Sequence, residues 1–475
     1  MRQAVCDSIA RTLALAGCGD DERTVLSGRF RRRASRERGA ALFEAMRACR
    51  SVCLRQMARG RRAAWVRYGR FLANEKVTVE ALTAGWAAPT MAAAAGRHVL
   101  AIQDTSEINF HTTAQRRRGL GEIGKGTGHG LLLHAMLAVD ARNNSCLGLV
   151  GGEIWTRSGR VTVPHAKRPL AQKESQRWVS TAARAKEVLA SAAMVTVVAD
   201  RESDLYEEWA SVPGANFHLL TRVMHDRSLV DGGSLYEAAA AMPAVDTASI
   251  ELRARGPKEV ARTANVTLRF GRVTLRRPDL VDRALPPSVS LSLIEVVELE
   301  PPPGCEPLHW RLLTTHEVTT AADAWQIVDW YKARWSIEQL FRILKTQGLQ
   351  LEDSQLHSAD SLLKLTAIAA RVAAITLQLT QARDGLGDEP VSVAFDDNEI
   401  EALDVLNTRV EGNTKLQKNP FPWRSLAWAA WIVAKLGGWD GYPSSRPPGP
   451  ITFYNGLQYL RPFAHAWSLR NVCTP

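Results

Sequence analysis

Between residues 98 and 222 short apolar runs alternate with polar stretches, and several of the runs end in an acid. HVLAIQD (98–104) reads as a buried strand. GLLLHAMLAVD (130–140) and CLGLVGGEIW (146–155) read as two more, joined by the hairpin signal ARNNS. Lys173 to Ser191 has the helical period, MVTVVAD (194–200) is a fourth strand, residues 202–209 suit a helix, and NFHLLTR (216–222) is a fifth strand. This order predicts a mixed α/β layer, antiparallel at its start and parallel in its later strands. From about 223 to 315 β-branched and basic positions alternate, which predicts a β-rich insertion with PPPG (301–304) as a turn. Thr320 with Asp323 forms a capping box that opens a long helix ending at Gly348, and a second helix covers roughly 358–383. DGLGDEP (384–390) reads as a linker, followed by helical segments that include LAWAAWIVAKLGG (426–438). The first ~80 residues read as helical and arginine-rich, ending near Asn74.

At 475 residues the chain has room for about three domains. The pattern divides it into an arginine-rich helical region 1–75, an α/β domain 76–384 and a helical C-terminal domain 385–475. With 45% hydrophobic and 23% charged residues the composition is that of a globular protein, which excludes disorder and collagen-like repeats. No apolar run reaches the ~20 residues a bilayer needs. Leu362 to Leu379 comes nearest but is broken by Lys364 and Arg371, and reads as a buried helix. Without a signal-peptide pattern or a disulfide framework among seven cysteines, a cytoplasmic location and no membrane partner are expected. Cys49 and Cys53, at i and i+4, are expected to share a helix face in packing.

Charge changes the picture. Of the net +11, all is accounted for by residues 1–70, with 17 Arg, no Lys and 6 acids, because the rest of the chain balances 43 basic against 43 acidic groups. The densest stretch is RFRRRASRER (29–38), followed by Arg55, Arg59, Arg61, Arg62, Arg67 and Arg70. An arginine-only module of one sign points to a polyanion, most simply nucleic acid.

Three carboxylates stand out by placement. Asp104 ends the first strand and Asp200 the fourth, so both emerge at one end of the sheet, where sites of α/β sheets form. Glu338 lies on the capped helix. At about 100° per residue Tyr331, Arg334, Glu338 and Lys345 share a sector of about 60°. That pattern also fits a solvated charged face with i, i+4 pairs. Three converging acids make a site for hard cations, and two Mg²⁺ (or Mn²⁺) ions can carry an in-line displacement at phosphorus, with Arg334 and Lys345 holding phosphates. Elsewhere, Gly119–Gly126 nearly spells a P-loop but lacks its Ser/Thr and leads into a strand, so no nucleotide cofactor is expected. His134 is expected in a core or supporting role, and Asp204 as the acid that starts a helix.

At these residues the sequence resembles a known family. Tyr331, Arg334, Glu338 and Lys345 match the spacing Y-(2)-R-(3)-E-(6)-K of bacterial cut-and-paste transposases, Asp200-Arg-Glu-Ser-Asp204 resembles the box at their second catalytic Asp, and Ala-Ile-Gln-Asp104-Thr the box at their first. From about residue 70 onward the chain resembles a DDE transposase of the Tn-five type, in the IS-four family of insertion sequences. The resemblance implies an RNase H-like core and a metal-binding catalytic triad of Asp104, Asp200 and Glu338. It implies that Tyr331, Arg334 and Lys345 grip the transposon end and that Arg222 contacts the strand end, although Met224 stands where a further basic residue is expected. Trp310 has the position of a tryptophan that stacks on a flipped base at a hairpin, whereas on the sequence alone it reads as core. Double-stranded DNA (transposon ends and target) and a homodimer formed in the DNA complex through the C-terminal helices are the implied partners. Two other classes remain: a catalytically idle DNA-binding regulator, and a paired-carboxylate glycosidase, for which phosphate-holding cations have no use.

Overall fold

The computed structural model describes residues 33–110, 118–124, 128–157, 168–252, 261–442 and 444–470. The arginines up to Arg32 and the Lys125–Gly126 pair of the P-loop-like stretch lie outside them.

In chain order the strands are β1 (His98–Asn109), β2 (Gly121–Ile123), β3 (Gly128–Asp140), β4 (Cys146–Trp155), β5 (Met194–Ala199), β6 (Phe217–Arg222), β7 (Asp246–Leu252), β8 (Arg262–Arg276), β9 (Ser288–Glu298) and β10 (His309–Thr314). They form one sheet in the order β2-β3-β1-β5-β6-β10-β9-β8-β7, with β4 also paired to β3. β3 runs antiparallel to both β4 and β1, and β5 and β6 continue parallel to β1. This is the mixed α/β layer, antiparallel at its start and parallel later, that the order of elements predicts, and it is consistent with the RNase H-like core that the resemblance implies. The insertion does not form a separate layer. β10 hydrogen-bonds antiparallel to β6, and β9, β8 and β7 follow it outward, so the insertion lengthens the same sheet.

The helices are α1 (Arg33–Arg47), α2 (Leu54–Met57), α3 (Arg62–Leu72), α4 (Val79–Thr83), α5 (Ala87–Ala94), α6 (Gln176–Val188), α7 (Tyr206–Ser211), α8 (Leu235–Ala241), α9 (Ala321–Ala333), α10 (Trp335–Lys345), α11 (Ala359–Ala382), α12 (Asp397–Val410), α13 (Leu426–Leu436) and α14 (Pro450–Arg470). Side chains alternate across a strand, so β1 feeds two cores. Leu100, Ile102 and Ile108 pack on the side of α10 and α11, while Val99 and Ala101 pack with Ala182 and Ala185 of α6.

Several expectations are corrected. β1 does not stop at Asp104. Its parallel pairing with β5 ends at Ile102–Val198, but its antiparallel pairing with β3 continues to Asn109–Gly130, so Asp104 sits beyond the end of β5 in mid-strand. The helix opened by the Thr320–Asp323 capping box breaks at Arg334. There the N–H of Arg334 donates to Tyr331 O at 3.1 Å and that of Ile337 to Arg334 O at 3.1 Å, a local 3-10 tightening that separates α9 from α10. Cys49 and Cys53 do not share a helix, because α1 ends at Arg47 and Cys53 caps α2.

α11 is the one helix among the described residues long and apolar enough to cross a membrane, and 94% of its most apolar window is buried inside the protein. Its Lys364 donates to the Asn74 carbonyl oxygen at 3.1 Å. α13 is buried from Leu426 to Ala434, so the apolar face expected to serve self-association is used inside the chain. At the other end, Leu42, Phe43 and Met46 of α1 join the same core as Leu403 and Phe453. Arg47, fully buried beside them, lies 3.5 Å from Glu399 and donates to Ala394 O at 3.1 Å.

Candidate active site

Asp104 projects from β1 toward the side where α10 packs. Arg334, at the break between α9 and α10, spans two acids: its Nη1 is 3.1 Å from Asp104 Oδ2 and its Nη2 is 2.8 Å from Glu338 Oε1. The break itself delivers this guanidinium, since Arg334 belongs to neither helix and Glu338 stands one turn into the second. Asp200 follows β5, the parallel neighbour of β1. It caps the 3-10 turn Arg201–Ser203, its carboxylate accepting the Glu202 N–H at 2.8 Å. The three acids feel one another. Burial and the charge of Asp200 push the Asp104 carboxyl up to about 7, with Glu338 adding to the rise and Arg334 opposing it. A single guanidinium therefore leaves the cluster short of positive charge.

Tyr331, in the last turn of α9, flanks this group. It is buried, and burial pushes its phenol upward while Arg334 and Arg222 pull it back. Trp310, 5% exposed, lies edge-on to Tyr331 with ring centroids 5.6 Å apart. Arg222, the last residue of β6, donates from Nη2 to the His309 carbonyl oxygen at 3.0 Å. A cleft runs past Arg201, Arg222 and Trp310 along the Ser336–Gln339–Arg342 side of α10. Lys345 is the residue not brought together with the rest. It sits at the far end of α10, where burial lowers its pKa against the opposing charges of Glu352 and Glu107. The shared helix face drawn through Tyr331 and Lys345 does not exist as such, because the break intervenes.

Three carboxylates, hard oxygen donors with uncompensated charge, fit a divalent cation of the Mg²⁺ class. Asp104, Asp200 and Glu338 would hold it. A pH dependence follows from Asp104. Below about pH 7 its carboxyl binds a proton in the metal-free protein and is lost as a ligand. Calorimetric titration with Mn²⁺ is expected to show affinity falling about tenfold per pH unit below 7 and levelling above it, with proton uptake by buffer in the lower range.

A second acidic group, Asp140, Asp388 and Glu389, brings ligand atoms within 4.8 Å of one another. Its charge is already met: Arg97 pairs with Asp140 at 2.6 Å and Asp388 at 2.7 Å, and Arg142 with Asp388 at 2.7 Å.

Asp204 is corrected. It starts no helix but clamps the segment after β6, accepting the N–H groups of Met224 at 2.8 Å and His225 at 3.1 Å and pairing with Arg227 at 2.7 Å. His134 is a core residue, buried and hydrogen-bonded to Thr105 Oγ1 at 2.9 Å. Of the P-loop-like stretch, Gly121–Ile123 is strand β2. Sequence reasoning missed Glu202, whose charge acts with that of Asp200, Glu107 and Glu352, which lie near Lys345, and Gln103 with Glu208 behind the acids. The one visible signal was Gln103, a polar residue inside an apolar strand.

Within the arginine-rich region, α3 turns Arg62, Arg67 and Arg70 outward, with Trp65 and Val66 exposed beside them. Together with Arg38 of α1 they line a shallow groove of about 570 Å³.

Among solved structures the chain is similar to a piggyBac transposase, seen by cryo-EM as a synaptic complex with hairpin DNA, at 9% identity and a TM-score of 0.35. The match covers 80% of this chain and 55% of that one, so the chain spans about half the length of that protein. Residues 161–375 match a family model; the matched stretch holds Asp200, Arg334 and Glu338 and begins after Asp104. The family so matched is that of the transposase DDE domain.

Proposed function

We propose that the protein is a DNA transposase of the Tn-five type, in the IS-four family, that cleaves transposon ends by metal-dependent phosphoryl transfer through a hairpin intermediate and joins them to target DNA. The observation that carries this reading is the convergence of Asp104, Asp200 and Glu338 around Arg334 at the end of the parallel strands. A bound pair of Mg²⁺ or Mn²⁺ ions would supply Lewis-acid activation of water and of the leaving 3′-oxygen.

The chain's own residues do the rest. The three carboxylates would hold the ions. Arg334, a planar fork on two carboxylates, exchanges part of that pairing for the scissile phosphate and so positions it. Tyr331 and Arg222 border the same space, Arg222 at the mouth of the cleft beside Trp310. Displacing Trp310 from Tyr331 gives a flipped base an aromatic face in exchange for its stacking in the duplex. Lys345, among Glu107 and Glu352, grips the duplex further along as a point charge. The arginines of residues 1–75 bind the end sequence, residues 76–384 cleave it, and residues 385–475 pair two subunits on DNA in the cytoplasm. With α13 buried, the pairing surface within that tail falls on α14, which exposes Tyr459 and Leu469.

The test uses purified full-length protein and a duplex carrying the DNA that flanks the gene. Strand cleavage that requires Mg²⁺ or Mn²⁺, followed by a hairpin product on a denaturing gel, is expected. Binding without cleavage in either metal would leave the idle regulator as the correct reading.

A further inference from the structure

Resting on that reading of the site, we infer that Glu208 and Ser203, on the face of the sheet opposite the three acids, are positioning residues that lock the two aspartates into register for metal binding. Residues 103 and 105 of β1 point away from Asp104, to the side of α6 and α7. There the Gln103 amide donates to Glu208 Oε1 at 3.1 Å, and the Ser203 hydroxyl donates to Glu208 Oε2. Thr105 Oγ1 is hydrogen-bonded to His134 Nδ1 at 2.9 Å, His134 Nε2 lies 3.4 Å from Gln103 Oε1, and the imidazole stands edge-on to Trp178 at 4.8 Å. Gln103, His134, Ser203 and Glu208 are all buried.

The connectivity gives this layer its role. Its first members bracket Asp104 in sequence on both sides. Its last, Ser203, closes the 3-10 turn whose Glu202 N–H is held by the Asp200 carboxylate. β1 and β5 part company at Ile102–Val198, so beyond that point no ladder hydrogen bond fixes Asp104 relative to Asp200. The Gln103–Glu208–Ser203 bridge supplies that missing tie. A buried acid with two donors has no purely apolar purpose at this place, since an apolar residue of the same shape would pack there without needing partners. An amide at this position keeps one oxygen to accept from Gln103 and can donate its NH2 to the Ser203 hydroxyl oxygen, so it can take the place of the acid.

The experiment compares Glu208→Gln, Glu208→Leu and Ser203→Ala in the full chain, by Mn²⁺ titration calorimetry without DNA and by end binding. Partners that orient metal ligands typically change metal affinity about 10–100-fold. Glu208→Leu is expected to weaken Mn²⁺ binding at least about tenfold and Ser203→Ala in the same direction, with end binding retained, while Glu208→Gln stays close to the parent protein. If Glu208→Leu does not fold, Ser203→Ala against Glu208→Gln decides. Parent-like Mn²⁺ affinity in Glu208→Leu or Ser203→Ala overturns the proposal, as does Glu208→Gln weakened as much as Glu208→Leu. A parent protein that binds no Mn²⁺ overturns the reading of the site, and is thereby distinguished from failure of the positioning role alone.

Discussion

Asp104→Asn, Asp200→Asn and Glu338→Gln are each expected to lower strand cleavage at least about 1,000-fold, roughly 4 kcal/mol of transition-state stabilisation, while binding of transposon-end DNA persists. Each removes one hard oxygen ligand and one negative charge without changing volume. In Asp104→Asn and Glu338→Gln, Arg334 also gives up half of its pairing, which frees its fork for phosphate and keeps DNA affinity from falling. Gel-shift and cleavage assays on the same duplex separate the two effects. A variant that cleaves near the parental rate in Mg²⁺ takes its residue out of the triad.

The second large effect belongs to α3. Replacing Arg62, Arg67 and Arg70 together by alanine is expected to weaken end binding by one to two orders of magnitude and to flatten the salt dependence of log K by about 2–3, close to 0.9 for each phosphate no longer neutralised. Fluorescence anisotropy across a salt series reads both quantities. Substitution is required here because truncation would not isolate the charge. Leu42, Phe43 and Met46 of α1 and Phe71 and Leu72 of α3 are buried in the central core, so deleting the region opens that core as well. An unchanged slope in the triple variant would move the DNA-binding surface away from α3.

Strand identity was legible because both faces of the central strands are buried and their apolar runs are bounded by Asp, Asn and Gly. The apolar runs also placed Asp104 and Asp200 on neighbouring strands, β1 and β5, although only Asp200 follows the end of its strand. What could not be read was anything set by contacts distant in sequence. β1 extends past Asp104 because β3 continues to pair with it after β5 has ended. The break at Arg334 is invisible in helical periodicity, since no Gly or Pro marks it between Tyr331 and Ile337. Asp204 precedes a helix in sequence and so looked like a capping acid, yet its carboxylate is committed to the backbone after β6. The LAWAAWIVAKLGG segment is apolar all round, which is the mark of a buried helix rather than of an amphipathic interface. Glu208 was silent for another reason: an acid in a short helix reads as solvated until the sheet is built behind it.

The most direct test exchanges each acid in turn for cysteine and follows cleavage in Mg²⁺ and in Mn²⁺. A thiolate is a poor ligand for Mg²⁺ and a better one for softer ions, so a metal-ligating position changes its metal preference when its oxygen becomes sulfur. For Asp104→Cys, Asp200→Cys and Glu338→Cys the account predicts no cleavage in Mg²⁺ and partial recovery in Mn²⁺. Cleavage in Mg²⁺ at the parental rate by any of the three would contradict it.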